Sequence, residues 1–269
     1  MPDGSLGACT TFEYNSADRQ GLAFANEPLR RDYRFPEPAN VPTLLPKSKF
    51  FPPAEMAEPE GVVLFGGKLT PEWLLDAYAH GIFPWPIFDG TDIMVWWSPD
   101  PRAVFEFDGF HVSRRLARTC CSELFEVTCD RNFAGVINGC ATAGDRRHNT
   151  WLTPKMIEAY MRLFELGHAH SVEVWRHGEL VGGTYGVALG GMFAGESMFH
   201  RVRDASKVAL VRLVHHLRVR GYSLFDIQQC TDHTIRLGAV DIPRDTYLRR
   251  LGEALTQRVS FGTQLEPWP

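Results

Sequence analysis

From residue 170 onward the chain alternates apolar and polar positions in three runs. They are Ser171 to Trp175, Leu180 to Leu189 and Met192 to Ser197, separated by turn residues at Arg176 to Glu179 and at Gly190-Gly191. A period of two interrupted by tight turns predicts a three-stranded antiparallel meander. Apolar residues then recur every third position at Val208, Val211, Val214 and Leu217. With Asp204 as N-cap and Gly221 as stop, they predict a long amphipathic helix ending near Arg220. A strand is expected at Leu224 to Gln228, and Pro243 opens a last helix. Upstream, Thr70 as N-cap, Pro71 at the first helical position, apolar Trp73, Leu74, Ala77 and Tyr78, and Gly81 as stop predict a first helix. Between the two regions lie a strand at Ala103 to Phe107, a helix near 113–119, a strand at Glu126 to Cys129 and a helix near 131–141. A stronger helix starts at Thr153-Pro154, carries Met156, Ile157, Tyr160, Met161 and Phe164, and stops at Gly167.

One stretch fits neither period. Between Gly81 and Arg102 lie Phe83, Trp85, Phe88, Trp96 and Trp97, interrupted by prolines at 84, 86, 99 and 101. Proline removes a backbone donor and fixes φ, so a regular ladder is not expected and the rings are presented from kinked backbone. Such rings stack a base or an aromatic substrate, or they plug an interface; composition weighs the two about evenly. Residues 1–48 carry prolines at 2, 28, 36, 38, 42 and 46 with little periodicity, and read as an extension. Residues 49–102 then form a small N-terminal α/β domain and 103–269 a second domain, giving an α+β fold.

Composition narrows the function classes. The chain has 269 residues, 44% of them hydrophobic and 22% charged, as soluble globular proteins do. No basic start precedes an apolar run and no apolar run reaches membrane-spanning length, so a cytoplasmic protein without a membrane segment is expected. The cysteines, at 9, 120, 121, 129, 140 and 230, show no metal-ligand spacing, and neither a metal nor a disulfide framework is expected. A net charge of −4 argues against a surface that grips nucleic acid throughout. A local basic face at Arg114, Arg115 and Arg118, or at Arg201, Arg203 and Lys207, competes with the plainer reading of solvated helix faces.

Three antiparallel strands, a helix and a return strand is the order of GNAT-type acyltransferases, although fold order alone establishes no chemistry. Those enzymes hold the pyrophosphate of acetyl-CoA on a glycine-rich loop at the strand-to-helix junction. Here the junction, Phe199 to Lys207, contains no glycine, which points to a different acyl donor and to no cofactor. Glu196 ends the third meander strand. Asp226 and Gln228 share one face of the later strand by alternation. A carboxylate in apolar surroundings needs a structural partner or a substrate, and two of them beside an amide shift the balance toward a site. Such a set orients an amine nucleophile and relays its proton. No H-E-x-x-H, G-x-S-x-G or P-loop pattern occurs.

Eight segments, taken together, carry a resemblance. They are GGKLTP from Gly66, GIFPW from Gly81, WWSPDPRAV from Trp96, TWLT from Thr150, ELGHAHSVEVW from Glu165, LVGGTYGVALG from Leu180, GESMF from Gly195 and DIQQCTDHTIRLGA from Asp226. In order and spacing, from about residue 50 to 250, the chain resembles the leucyl/phenylalanyl-tRNA–protein transferases. The resemblance implies a small N-terminal domain followed by a GNAT-like acyltransferase domain. It also implies transfer of Leu or Phe from Leu-tRNA or Phe-tRNA onto proteins with N-terminal Arg or Lys, marking them for degradation. Carried over by residue, it makes Trp85 and Trp151 contacts to the tRNA end and the aminoacyl group. Glu196 then receives the aminoacyl amine, and Asp226 and Gln228 orient the incoming α-amine and assist its deprotonation. An apolar pocket would favour Leu or Phe by buried area.

The sequence departs from the family pattern in three places. Thr184 stands where methionine is frequent, which bears on the donor pocket. Thr119, Cys120, Cys121 and Ser122 fall where relatives carry cations for tRNA, leaving Arg114 and Arg118. The first 48 residues exceed the usual start. Two other readings stay open: an acyltransferase of the same scaffold using another donor such as a coenzyme-A ester, and a non-catalytic RNA-binding module.

Overall fold

The computed structural model describes residues 45–86, 93–143 and 150–268, all within one compact unit spanning Pro38–Pro269. Phe88 and most of the expected 1–48 extension lie outside the described residues. In chain order the elements are β1 (Val62–Phe65), α1 (Pro71–Ala79), β2 (Phe83–Pro84), β3 (Val95–Trp97), β4 (Arg102–Phe105), α2 (Arg114–Cys120), β5 (Glu126–Cys129), α3 (Phe133–Thr142) and α4 (Pro154–Glu165). There follow β6 (Ala169–Arg176), β7 (Glu179–Leu189), β8 (Met192–His200), α5 (Ala205–Arg220), β9 (Leu224–Gln228), α6 (Asp232–Ile235), β10 (Ala239–Ile242) and α7 (Arg244–Leu255).

A seven-stranded sheet, ordered β10-β4-β9-β8-β7-β6-β5, is the centre of the fold. The expected meander is β6-β7-β8. The strand after α5 returns alongside β8 in parallel, while the other pairs in the sheet are antiparallel. Strands, helix and parallel return strand thus follow the GNAT-type order. One hydrophobic cluster draws on α1, α3, α4 and α7 together with Tyr185 and Ala194 of the sheet. A second draws on α5, α2 and the segment around Phe261, with Val172, Phe193 and Phe225.

The tryptophan stretch is more regular than its prolines predict. Val95–Trp97 pairs with both Val62–Phe65 and Phe83–Pro84 in a separate three-stranded sheet ordered β1-β3-β2. Pro84 is tolerated because it ends a two-residue edge strand, where no ladder donor is required of it. This sheet packs Val63, Phe83 and Trp96 into the same cluster as α4 and α7.

Helix ends follow the expected chemistry with one exception. The Thr70 and Thr153 hydroxyls accept from Trp73 N and Met156 N, so α1 and α4 start where their caps stand. Gly81 closes α1 at φ +73°, and a Cβ there would meet Leu248 and Tyr247 at 2.7 and 3.0 Å, so neither conformation nor space admits a side chain. Asp204 does not cap α5. Its own φ of +66° turns the side chain away from the first-turn amides, and its carboxylate takes Arg115 at 2.7 and 3.1 Å instead. The helix also buries more than the single expected face. Leu210, Leu213 and His216 are covered as well, and the His216 Nε2 lies 2.8 Å from Phe261 O of the C-terminal segment. No helix among the described residues is long and apolar enough to cross a membrane.

Candidate active site

The parallel pairing of β8 with β9 runs from Met192 opposite Leu224 to Ala194 opposite Asp226 and goes no further. Just past that point both strands carry an extra residue. Tyr185 pairs with Ser197 and Gly186 with Gly195, leaving Glu196 as the bulged residue of β8. Val104 pairs with Asp226 and Ala103 with Gln228, leaving Ile227 as the bulged residue of β9. A bulge re-aims side chains and ends regular pairing. The bulged Ile227 still packs with Phe225 on the α5 side, so Asp226 and Gln228 share the opposite face as alternation expects, and Gln228 sits at φ +58°. The two residues are also joined directly: Gln228 N donates to Asp226 Oδ1 at 2.9 Å, an Asx-type turn.

The re-aimed Gln228 amide faces Glu196. Its Nε2 stands 3.4 Å from Glu196 Oε1, at the long limit of a hydrogen bond. Turned over, the amide nitrogen donates to Gly195 O at 2.9 Å and Ile227 O at 3.0 Å. That orientation replaces one long bond by two of normal length, and amide orientation follows from such partners. It leaves the amide oxygen of Gln228 beside Glu196 Oε1. Two acceptors side by side are the complement of an N–H donor such as an amine.

Behind them, Asp226 is fully enclosed. It is 0% exposed. Oδ1 accepts from Arg102 Nε at 2.8 Å as well as from Gln228 N, and Oδ2 accepts from Arg102 Nη2 at 2.7 Å and Tyr247 Oη at 2.9 Å. Four donors occupy the four lone-pair directions of a carboxylate. Arg102 also donates to Gly81 O at 2.9 Å, and its guanidinium lies 4.8 Å from the Phe83 ring centroid and 4.5 Å from that of Tyr247. Burial pulls the Arg102 guanidinium downward, but the adjacent Asp226 carboxylate outweighs it and raises it above its ordinary value. Burial pushes the Tyr247 phenol well above its ordinary range.

Glu196 is placed differently. It is partly exposed, and its Oε2 accepts from Tyr160 Oη at 2.8 Å, with Tyr78 Oη a further 2.8 Å beyond. Burial pushes the carboxyl up to about 7, against the pull of the Tyr78 and Tyr160 hydroxyls. The Tyr185 ring meets Tyr160 edge-on at 5.5 Å; its buried hydroxyl has no hydrogen-bond partner among the described residues.

The tryptophans divide between the two uses left open by sequence. Trp96 is a plug: it is buried, donates to Gly66 O at 2.8 Å, and packs on Phe51 and Trp73. Trp85 is 41% exposed and stacks on Trp151, with centroids 5.1 Å apart and planes at 18°. Trp97 fixes it by donating to Trp85 O at 2.9 Å. Thr184 is not brought to this site. Tyr185 faces Tyr160 and Phe133, so alternation turns Thr184 to the opposite side of the sheet, where its hydroxyl donates to Ser197 O at 3.0 Å. Arg114 and Arg118 lie exposed on α2, with Arg115 between them tied to Asp204. A cleft of about 510 Å³ at the start of α1 is lined by Lys68, Lys155 and Arg162, the last paired with Glu158.

Two family models match the chain: leucyl/phenylalanyl-tRNA protein transferase over residues 104–252, and the N-terminal domain of the same family over residues 67–100. The leucyl/phenylalanyl-tRNA–protein transferase of Nitratidesulfovibrio vulgaris is 52% identical over 213 residues, covering 79% of this chain and 90% of its own. The chain belongs to the leucyl/phenylalanyl-tRNA–protein transferase family. The Chromohalobacter salexigens transferase is 51% identical over 221 residues, 81% of this chain and 84% of that one. Among solved structures, the C-terminal domain of a putative lysylphosphatidylglycerol synthetase from Agrobacterium fabrum covers 71% of this chain and 59% of its own. It does so at 13% identity and a TM-score of 0.37, too loose a likeness to carry an argument.

Several residues that build this candidate site are not singled out by sequence reasoning. Arg102 was only the end of a motif, although an arginine opening the apolar run Ala103-Val104-Phe105 is a signal that a buried anion awaits it. Tyr78 and Tyr160 read as helix core, which they are, with their hydroxyls turned inward to Glu196. Tyr247 gave no signal of its own.

Proposed function

We propose that this member of the family transfers leucine or phenylalanine from aminoacyl-tRNA to the α-amine of proteins that begin with Arg or Lys. The observation that carries the reading is the acceptor pair formed by Glu196 and Gln228 at the point where β8 and β9 part. A reaction between an ester and an amine needs the amine held with its N–H bonds directed and its lone pair free. The exposed Trp85 ring and the half-buried Trp151 ring stacked on it suit the terminal adenosine or an aromatic aminoacyl group. Lys68, Lys155, Arg114 and Arg118 offer phosphates a local foothold on a chain whose net charge is −4. The glycine-free junction after β8 suits a donor that brings no pyrophosphate. A cytoplasmic setting, where charged tRNAs and new protein N-termini meet, fits the reaction.

The test combines purified protein with Leu-tRNA or Phe-tRNA and two peptides, one beginning with Arg and one with Ala, read by mass spectrometry. Addition of a leucyl or phenylalanyl mass to the Arg peptide alone is expected. No addition from either donor would overturn the reading, and equal addition to both peptides would overturn the acceptor preference.

A further inference from the structure

We propose that Glu196 is the catalytic residue that takes the proton from the acceptor amine, and that Asp226, Arg102 and Tyr247 form a buried clamp whose part is to position Gln228. The inference rests on the transfer reading above and assigns roles within that site.

Two carboxyl groups stand where β8 and β9 part, and only one presents an oxygen to a substrate. Asp226 is enclosed and its lone pairs are taken by Arg102, Tyr247 and Gln228 N. An N–H approaching it would have to displace a donor from a buried ion pair. Glu196, which is only partly covered, has Tyr160 on Oε2 and holds Oε1 toward Gln228 at 3.4 Å. The titratable and charged groups that face it are Tyr78 on α1, Arg102 on β4, Tyr160 on α4, Tyr185 on β7 and Asp226 on β9. Its carboxyl, held up to about 7 by burial, is matched to taking and returning a proton near neutral pH.

The step balances without a further reactant. The neutral amine nitrogen attacks the ester carbonyl carbon, forming the C–N bond, and one N–H proton passes to Glu196 Oε1. The C–O bond to the ribose then breaks with its electron pair on the ribose oxygen. That oxygen takes the proton back from Glu196 and leaves as a hydroxyl, so the carboxylate is regenerated beside a new amide.

The experiment measures kcat/KM for transfer from Phe-tRNA to the Arg-initiated peptide as a function of pH, for wild type, Tyr160→Phe, Tyr247→Phe and Glu196→Gln. The acceptor's own amine titrates identically in all four, so differences between them report the protein. Losing the Tyr160 hydroxyl removes a donor to the ionised carboxylate, and the acid limb is expected to move up by roughly half to one pH unit. Glu196→Gln is expected to lose about 100-fold or more at the plateau. Tyr247→Phe frees one lone pair of Asp226 while keeping the ion pair, and its limb is expected to stay with wild type. An unmoved limb in Tyr160→Phe, a shifted limb in Tyr247→Phe, or a Glu196→Gln plateau within ten-fold of wild type would each overturn the assignment. Wild-type protein without product at any pH would instead overturn the transfer reading, and this inference with it.

Discussion

Replacing Arg102 with methionine removes the countercharge of a carboxylate that is 0% exposed. Methionine keeps an unbranched apolar stem but is three heavy atoms shorter, so a small cavity adds to the electrostatic change and is common to the single and double variants below. Asp226 keeps the Tyr247 hydroxyl and the Gln228 amide but loses two charge-assisted bonds, at 2.7 and 2.8 Å. Breaking a buried ion pair by removing one partner costs about 3–5 kcal/mol, mostly because the remaining charge is stranded. The bond to Gly81 O and the packing of the cation between Phe83 and Tyr247 go as well, each adding on the order of 1 kcal/mol. Urea denaturation followed by tryptophan fluorescence should show a midpoint lowered accordingly with little change in slope. The decisive comparison is Arg102→Met/Asp226→Asn. With no charge left to strand, it should recover at least about 2 kcal/mol relative to the single variant, a coupling that double-mutant cycles resolve. A single-variant loss under about 1 kcal/mol, or a double variant no more stable than the sum of its parts, would refute the clamp.

Glu196→Gln should be stabilising even as it removes activity. A folded-state value near 7 against an ordinary 4.5 means the folded protein keeps a proton that the unfolded chain has lost. The stability this contributes is fully present below about 4.5 and is lost as pH rises through about 7. Glutamine does not titrate, so the variant should gain on wild type across that window by up to roughly 3 kcal/mol, at about 1.4 kcal/mol per pH unit. Parallel stability-versus-pH curves for the two proteins would contradict it. Tyr185→Phe removes a buried hydroxyl that has no partner among the described residues and should raise stability by about 1 kcal/mol. A loss of stability on thermal or urea unfolding would show that the hydroxyl is bonded.

Period and punctuation made the larger elements legible. The meander, α4 and α5 were readable because a whole run of positions repeats one spacing and the caps are Thr, Pro and Gly. β2, β3 and α6, two to four residues long, offer too few repeats, and β2 includes a proline. The site was legible as a set of residue types, with Glu196, Asp226 and Gln228 gathered as expected. How they are gathered was not, because a bulge depends on the partner strand's register, which no single segment encodes. Alternation does place Asp226 and Gln228 on one face, with Phe225 and Ile227 on the other, but nothing local shows that the acid is tied to an arginine 124 positions away. Thr184 is an expected site residue that lies apart from the others. The family motif drew attention to the position, but strict alternation with Tyr185 sends it to the far face.

The stack of Trp85 on Trp151 has a consequence for how any flat ligand arrives. Their centroids stand 5.1 Å apart, whereas admitting a third ring between two others needs about 7 Å, two contact distances of about 3.5 Å. The free protein is thus self-occupied: each indole serves as the other's guest. A base or aromatic aminoacyl group that enters there exchanges one ring contact for new ones, so its net gain is a difference between stacks worth about 0.5–1.5 kcal/mol each. The tryptophan pair therefore acts as a reference against which incoming rings are weighed, and under the proposed function strong binding of the aminoacyl-tRNA end would have to come from its phosphates and amine.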